Sequence, residues 1–435
     1  MQLDSQEVRR RNHRKKNNAI RICVIIAVAA SLIAVAAAAL VNSNSAPSPK
    51  RSLIAFAPEV IASNGDVGQY SSLVLNPNTE YPAIASYNAT AGDLYITFWG
   101  GTSWSSYAPF TTANDDGQYC SMAVNETLGA YGGSIHHASF YDVINGDLMY
   151  ANSIGEYYVV DALHNTGLYS SIDVNSATGS IAIAYYDAAQ KDLKVAYNKS
   201  GKTAWTIYSV DTGGDVGQYT DIMFFYANDS MFVDYYDVTN GNLKQAWAWD
   251  TGTIGTWSSY QIYEGGTSLV GKWNSQALSS SGAWYCSWYN ETGGDLAYGY
   301  WYSDAINEFG VTPDTQSDVG QYSSIGCNSS GNAFISYYDA TNQDLKLAWN
   351  ESDVWYNMTV DSFGDVGRYT SLKIDSNDVI HISYYDAING NLKYVKILPA
   401  EIDAMVPEFG EILIPVFCTI AIIAVLSMRK NRKEE

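Results

Sequence analysis

Cations are scarce in the body of this chain. Of its 435 residues, 24 are Lys or Arg against 45 Asp or Glu, a formal net charge of −21. Between residues 52 and 428 the only arginine is Arg368. So acidic a middle excludes nucleic acid as a partner, because binding phosphates needs a basic face. Cysteine is rare too, with five in all. Cys23 and Cys418 fall in apolar terminal stretches, which leaves Cys120, Cys286 and Cys327, an odd set from which no disulfide framework can be read. No Cys-X-X-Cys pair, phosphate-binding loop or nucleophile elbow occurs. Of the five histidines, His136 and His137 are adjacent on a predicted strand and point to opposite faces, so they form no metal pair. His164 and His381 are isolated. In abundance instead are tyrosine (35), glycine (35) and tryptophan (12), which suits strands and turns and is too apolar for a disordered chain.

The charge is segregated. Seven Lys/Arg occupy residues 1–21 and four the last seven residues. Just inside each basic end lies an apolar stretch, 22–41 and 412–428, close to the length that crosses a bilayer. Basic residues favour the cytoplasmic side, so both termini are expected inside, with linkers at 42–52 and 399–411 and everything between the spans outside. A cleaved signal peptide is the competing reading of 22–41, and it also places the middle outside. Pro407-Glu408-Phe409, the apolar stretch and the closing basic cluster resemble the tripartite sorting signals of archaeal surface proteins. That resemblance implies a sorting peptidase acting at the motif; an ordinary tail anchor is the alternative. Eight Asn-X-Ser/Thr sequons fit an external location: Asn88, Asn125, Asn198, Asn228, Asn290, Asn328, Asn350 and Asn357.

Seven internal repeats fill residues 53–398. Gly-X-Tyr begins six of them, at Gly68, Gly117, Gly167, Gly217, Gly320 and Gly367, and Gly271-Lys272-Trp273 is a drifted copy. The glycines are 49, 50, 50, 54, 49 and 47 residues apart. Each copy is followed by an apolar run ending in an aromatic and Asp or Asn, then a second Asp or Asn five residues later: Asn88/Asp93, Asp142/Asp147, Asp187/Asp192, Asp237/Asn242, Asn290/Asp295, Asp339/Asp344 and Asp386/Asn391. A fixed spacing of this kind is a hairpin turn of one type. Four strands per unit of this length predict an all-β, seven-bladed β-propeller. The last unit lacks its fourth strand, while Ile54–Ser63 precedes the first unit as a fourth strand would. The N-terminal strand is therefore expected to close the last blade, which leaves only short protected edges.

Both recurring phrases fall on loops of one propeller face. The sequons mostly fall on the other face or the rim. The bare face carries Asp66, Asp115, Asp215, Asp318 and Asp365 before the first strand of their units, and Asp142, Asp187, Asp237, Asp339 and Asp386 after the second. Two readings are open. Each Asp caps its own turn, or together they form shallow sites for Ca²⁺, which wants several oxygens, or for a glycan, which wants carboxylates beside aromatics. Unit 5 departs most, with Leu269 in place of Asp and Trp273 in place of Tyr. Trp284, Trp288 and Trp301 nearby make it the candidate specialised site, with packing as the competing reading.

Ile335-Ser336-Tyr337-Tyr338-Asp339-Ala340 with Asp344-Leu345-Lys346, and Ile382–Ala387 with Asn391-Leu392-Lys393, resemble repeats of prokaryotic surface propellers grouped with the sialidase-like fold. That family's enzymes hold a substrate carboxylate with three arginines. Arg368 stands alone here, so the mechanism is not carried over. The expectation is a non-enzymatic, membrane-anchored surface propeller that binds a glycan or surface protein, or belongs to the cell envelope, with no cofactor beyond possible Ca²⁺. The alternative is a glycoside hydrolase or lyase working at the central mouth; no carboxylate pair stands out for it.

Overall fold

The computed structural model describes residues 57–403, except 112–113, 126–133, 164, 200–203, 226–228, 251–253, 264–267, 303–304 and 353. The apolar stretches 22–41 and 412–428, both basic ends, Pro407-Glu408-Phe409, His164 and Asn228 lie outside the described residues. Among the described residues no helix is long and apolar enough to cross a membrane.

The chain between Glu59 and Ile397 forms seven four-stranded antiparallel sheets, a seven-bladed propeller. The innermost strands are Val67–Leu75, Asp116–Asn125, Thr166–Val174, Val216–Phe224, Val270–Leu278, Val319–Cys327 and Val366–Ile374, in blades 1 to 7. Within a blade the strands follow in sequence order from the axis outward. Blade 7 is the exception: its outermost strand is Glu59–Ala62, paired with Asn391–Ile397. The expected closure by the N-terminal strand is the one observed. A helical turn, Pro399–Asp403, follows.

The second strands are covered on both sides. Ile181–Asp187, Ala333–Asp339 and Ile380–Asp386 are buried along their whole length, as continuous apolar runs between neighbouring sheets must be. The core is a set of seams between blades. One seam joins Ala182, Val195 and Tyr197 of blade 3 to Val216, Val233 and Tyr235 of blade 4. Ile183, Ile335 and Ile382 occupy equivalent places and are completely buried, each worth roughly 1.5–3 kcal/mol of transfer free energy.

The repeated phrases have a mechanical origin. Gly117 has φ +119°, and a Cβ there would lie 2.7 Å from the backbone nitrogen of Leu94 in the preceding blade. The left-handed backbone and the close approach both require glycine. The leucine of each Asp/Asn-Leu pair is the surface against which the next blade's glycine packs.

Candidate functional site

The innermost strands carry two irregularities around their Gly-X-Tyr, as in blade 4 between Val216 and Gln218 and between Gln218 and Asp221. The aromatic residue between them takes a left-handed backbone in all seven blades, with φ from 47° at Trp273 to 55° at Tyr70 and Tyr322. That geometry is costly for a bulky residue, and its effect is to turn every ring toward the propeller axis. The rings of Tyr70, Tyr119, Tyr169, Tyr219, Trp273, Tyr322 and Tyr369 form a closed cycle, with successive centroids 4.7–5.2 Å apart. They plug one mouth of the channel and leave a shallow bowl of about 210 Å³. Burial pushes the Tyr169 hydroxyl up to about 12, and those of Tyr70 and Tyr219 higher, so the phenols are neutral.

Two residues further along, the strands are stitched together. A backbone N–H of each blade donates to a side-chain oxygen of the preceding blade: Met122 to Ser72, Ile172 to Ser121, Ile222 to Ser171, Gln276 to Asp221, Ile325 to Ser275, Leu372 to Ser324 and Leu73 to Ser371, at 2.7–3.3 Å. Six serines and one aspartate thus complete a ring of latches around the axis.

Beyond this ring the channel widens toward the opposite mouth. A deep part of about 420 Å³ opens into a funnel of about 680 Å³. Its walls are mostly small or apolar, including Met223, Ala277, Gly326, Phe224 and Ile374, but Asp173, Asn175, Gln276 and Lys373 line it as well. Asp173 accepts from the Phe224 N–H at 2.7 Å and the Val174 N–H at 2.8 Å. Asp221 accepts from the Gln276 N–H and from the Ser171 hydroxyl at 3.3 Å. Burial raises both carboxyls to about 6, against the pull of backbone hydrogen bonds and the Lys373 charge. Lys373 is exposed to the funnel.

The acids of the bare face fall into two sets. Asp142, Asp187, Asp237, Asp339 and Asp386 are buried turn caps. Asp339 accepts from the amides of Thr341 and Asn342, and Asp386 from those of Ile388 and Asn389. The acids before the first strands instead join blades. Asp115, Asp215, Asp318, Asp365 and Asp66 accept at 2.6–2.8 Å from Tyr87, Tyr186, Tyr289, Tyr338 and Tyr385 of the preceding blade. Tyr141 reaches Asn165 at the equivalent place. Arg368 pairs with Asp365 at 2.7 Å. Among the described residues no group of three His, Cys, Asp or Glu side chains could hold a metal ion.

In blade 5, Trp273 belongs to the axial ring, Trp288 is completely buried, and Trp284 stacks on Trp301 at 3.5 Å. His137 is buried with Nδ1 2.7 Å from the Tyr150 hydroxyl, and His381 bridges Tyr394 and Asp375. Cys120, Cys286 and Cys327 are free thiols. Of the sequon asparagines, Asn88 is buried and donates to the Asn64 carbonyl, and Asn125 is buried. Neither presents its amide to solvent. Asn198, Asn290, Asn328 and Asn350 are half-buried, and Asn357 is exposed on an outermost strand.

Asp173, Asp221 and Lys373 were not singled out by local sequence. Their signal is visible only when the seven Gly-X-Tyr phrases are stacked. Asp221 then interrupts a column of serines two places after the aromatic, while Asp173 and Lys373 are the two charges in the column two places later.

No protein-family model matches the chain, and neither does any curated protein. Solved structures do. The BP39L lectin from Burkholderia pseudomallei aligns with a TM-score of 0.58 at 11% identity, covering 77% of this chain and 96% of that one. AofleA from Arthrobotrys oligospora aligns at 0.45 and 14% identity, covering 71% and 91%. The Hadza microbial sialidase Hz136 aligns at 0.44 and 11% identity, covering 73% of each. Likeness at such identities shows the β-propeller fold alone.

Proposed function

We propose that this protein is a non-enzymatic glycan-binding propeller displayed on the outer face of a membrane, with the saccharide held in the axial funnel. The observation that carries the reading is the inequality of the two mouths. One is plugged by seven aromatic rings, whereas the other is a wide cleft mixing a few polar groups with apolar wall, as small-ligand sites do. Asp173, Asn175, Gln276 and Lys373 supply acceptors and donors for hydroxyls. Met223, Phe224 and Ile374 supply apolar contact. A lectin shares the architecture. Surface display rests on the segregated basic ends, the two apolar stretches and the sequons, of which Asn357 is exposed.

A glycan array probed with the full chain tests the reading. Binding is expected, and Lys373→Ala should weaken it; an array without a single bound glycan would overturn it. A second reading, glycoside hydrolysis, draws on Asp173 and Asp221, whose carboxyls are held near 6 by burial, the range a general acid needs. Against it, both carboxyls are already committed to hydrogen bonds with backbone amides, and Asp221 with the Ser171 hydroxyl as well. Release of reducing ends from a bound glycan, abolished by Asp173→Asn, would select this second reading.

A further inference from the structure

Resting on that reading, we propose that the bound glycan is an oligosaccharide that leaves the axis over blade 4 and stacks on Trp249. The aromatic group Phe225, Phe232 and Trp249 would then be a second subsite beside the funnel. Phe225 opens the loop after the innermost strand Val216–Phe224, and Trp249 follows the third strand Asn242–Ala248, so both lie at the funnel end of the blade. Their rings and that of Phe232 meet edge to face, with centroids 5.7–6.5 Å apart. Trp249 is nonetheless 51% exposed and Phe225 37%.

Comparison between blades shows that an aromatic at the position of Phe225 is peculiar to blade 4. Six residues after each axial aromatic, the other blades place Asn76, Asn125, Asn175, Ser279, Asn328 and Asp375. Several of these cap the loop they begin. Asn76 accepts from the Asn78 and Thr79 amides, Asn328 from those of Ser330 and Asn332, and Asp375 from those of Asn377 and Val379. Blade 4 gives up this cap for a phenyl ring half in water. The exchange trades a loop cap for aromatic packing that leaves part of its apolar surface in water.

The patch adjoins the funnel in the chain, because Met223 and Phe224, directly before Phe225, line its wall. An aromatic platform beside hydroxyl-binding groups matches a sugar ring, which has an apolar C–H face and polar edges. A single sugar filling the funnel does not need Trp249; a chain of sugars does.

The test is titration calorimetry of the full chain with chitotetraose, maltotetraose and cellotetraose, each beside its own monosaccharide. The wild type should bind at least one tetrasaccharide more tightly than its monosaccharide. Trp249→Ala should lose about tenfold in that tetrasaccharide's affinity with monosaccharide affinity unchanged and the protein still folded at the temperature of the titration, and Trp249→Phe should recover part of it. A tetrasaccharide advantage that is absent from the wild type, or that survives Trp249→Ala, overturns the inference. If the monosaccharide binds and Lys373→Ala abolishes it without any tetrasaccharide advantage, only the platform fails. If none of these saccharides binds, the glycan reading fails with it.

Discussion

The seven blade interfaces are of two kinds. In four of them a buried carboxylate at the end of one blade's outermost strand meets a Tyr and a Lys of the next blade. Asp314 accepts from Tyr337 at 2.7 Å and pairs with Lys346; Asp361 does the same with Tyr384 and Lys393, and Asp211 with Tyr235 and Lys244. Asp161 accepts from Tyr185, while Lys194 turns mainly to Asp187 at 2.6 Å. The three other interfaces show no such triad among the described residues. Phe140 and Met149 stand in blade 2 where blade 6 has Tyr337 and Lys346, Trp288 and Ala297 in blade 5, and Ser86 and Tyr95 in blade 1. Blades 2 and 5 thus solve in apolar form the packing problem that the triads solve in polar form, while blade 1 uses a small Ser86 beside Tyr95. The lysine of Asp-Leu-Lys belongs to the seam and is not a surface charge.

The sharpest way to break this comparison is to remove the carboxylate of one triad. Asp314→Ala leaves the ammonium of Lys346 and the hydroxyl of Tyr337 buried without their acceptor, and should cost about 3–5 kcal/mol in denaturant unfolding. Rebuilding the site in the apolar style of blade 2, by adding Tyr337→Phe and Lys346→Met to Asp314→Ala, should recover most of that loss. Buried ion pairs replaced by apolar groups of similar volume are often neutral or stabilising. A triple variant no more stable than Asp314→Ala would show that the two kinds of interface are not interchangeable.

The two kinds also mark how far local sequence reached. Repeat number, four strands per blade and the closing strand were legible because each rests on a local requirement. Gly117 and its equivalents need glycine for a left-handed backbone pressed against the preceding leucine, and Asp339 or Asp386 caps a turn of fixed length. The role of Tyr70 and its six counterparts was not legible, since a tyrosine in a strand normally alternates across the sheet and only the left-handed backbone turns these to the axis. The funnel was less legible still. Asp173 and Lys373 sit 200 residues apart in sequence and meet only once the ring has closed. Nor does local sequence show the partners of Asp66 and Asp365, each of which accepts from a tyrosine of the preceding blade.

Blade 4, which borders one triad interface and one without, offers a test by pH. Asp234 is completely buried there and accepts from Gln245 at 2.8 Å. Burial holds its carboxyl well above the ordinary value, with the Asp221 charge adding to the rise and Gln245 opposing it. The folded state therefore prefers the proton more than the unfolded state does. Its favourable contribution is complete below the ordinary carboxylate range and is lost progressively as pH rises through that range toward the raised value. Asp234→Asn keeps the hydrogen bond to Gln245 with the amide oxygen as acceptor and removes the titration. The variant should be more stable than wild type at pH 7 by about 1–3 kcal/mol, and the difference should vanish below pH 4. Unfolding curves at pH 4, 5.5 and 7 check this; a gap independent of pH would mean that Asp234 is not a raised acid.

The smallest expected effect separates the latches from the seams. Ser324 accepts from the Leu372 N–H at 3.0 Å and joins the innermost strands of blades 6 and 7, the same pair that the Asp361 triad joins further out. Ser324→Ala removes the acceptor without creating a large cavity, and water in the channel beside it can satisfy the freed amide. The cost should be about 1 kcal/mol, well below that of Asp314→Ala. Hydrogen exchange locates the loss: the Leu372 amide should exchange faster in Ser324→Ala, while the amides of Tyr384 and Lys393 at the outer triad keep their protection. If the outer amides lose protection equally, the axis and the seams open as one unit, and the distinction between the two layers of each interface is wrong.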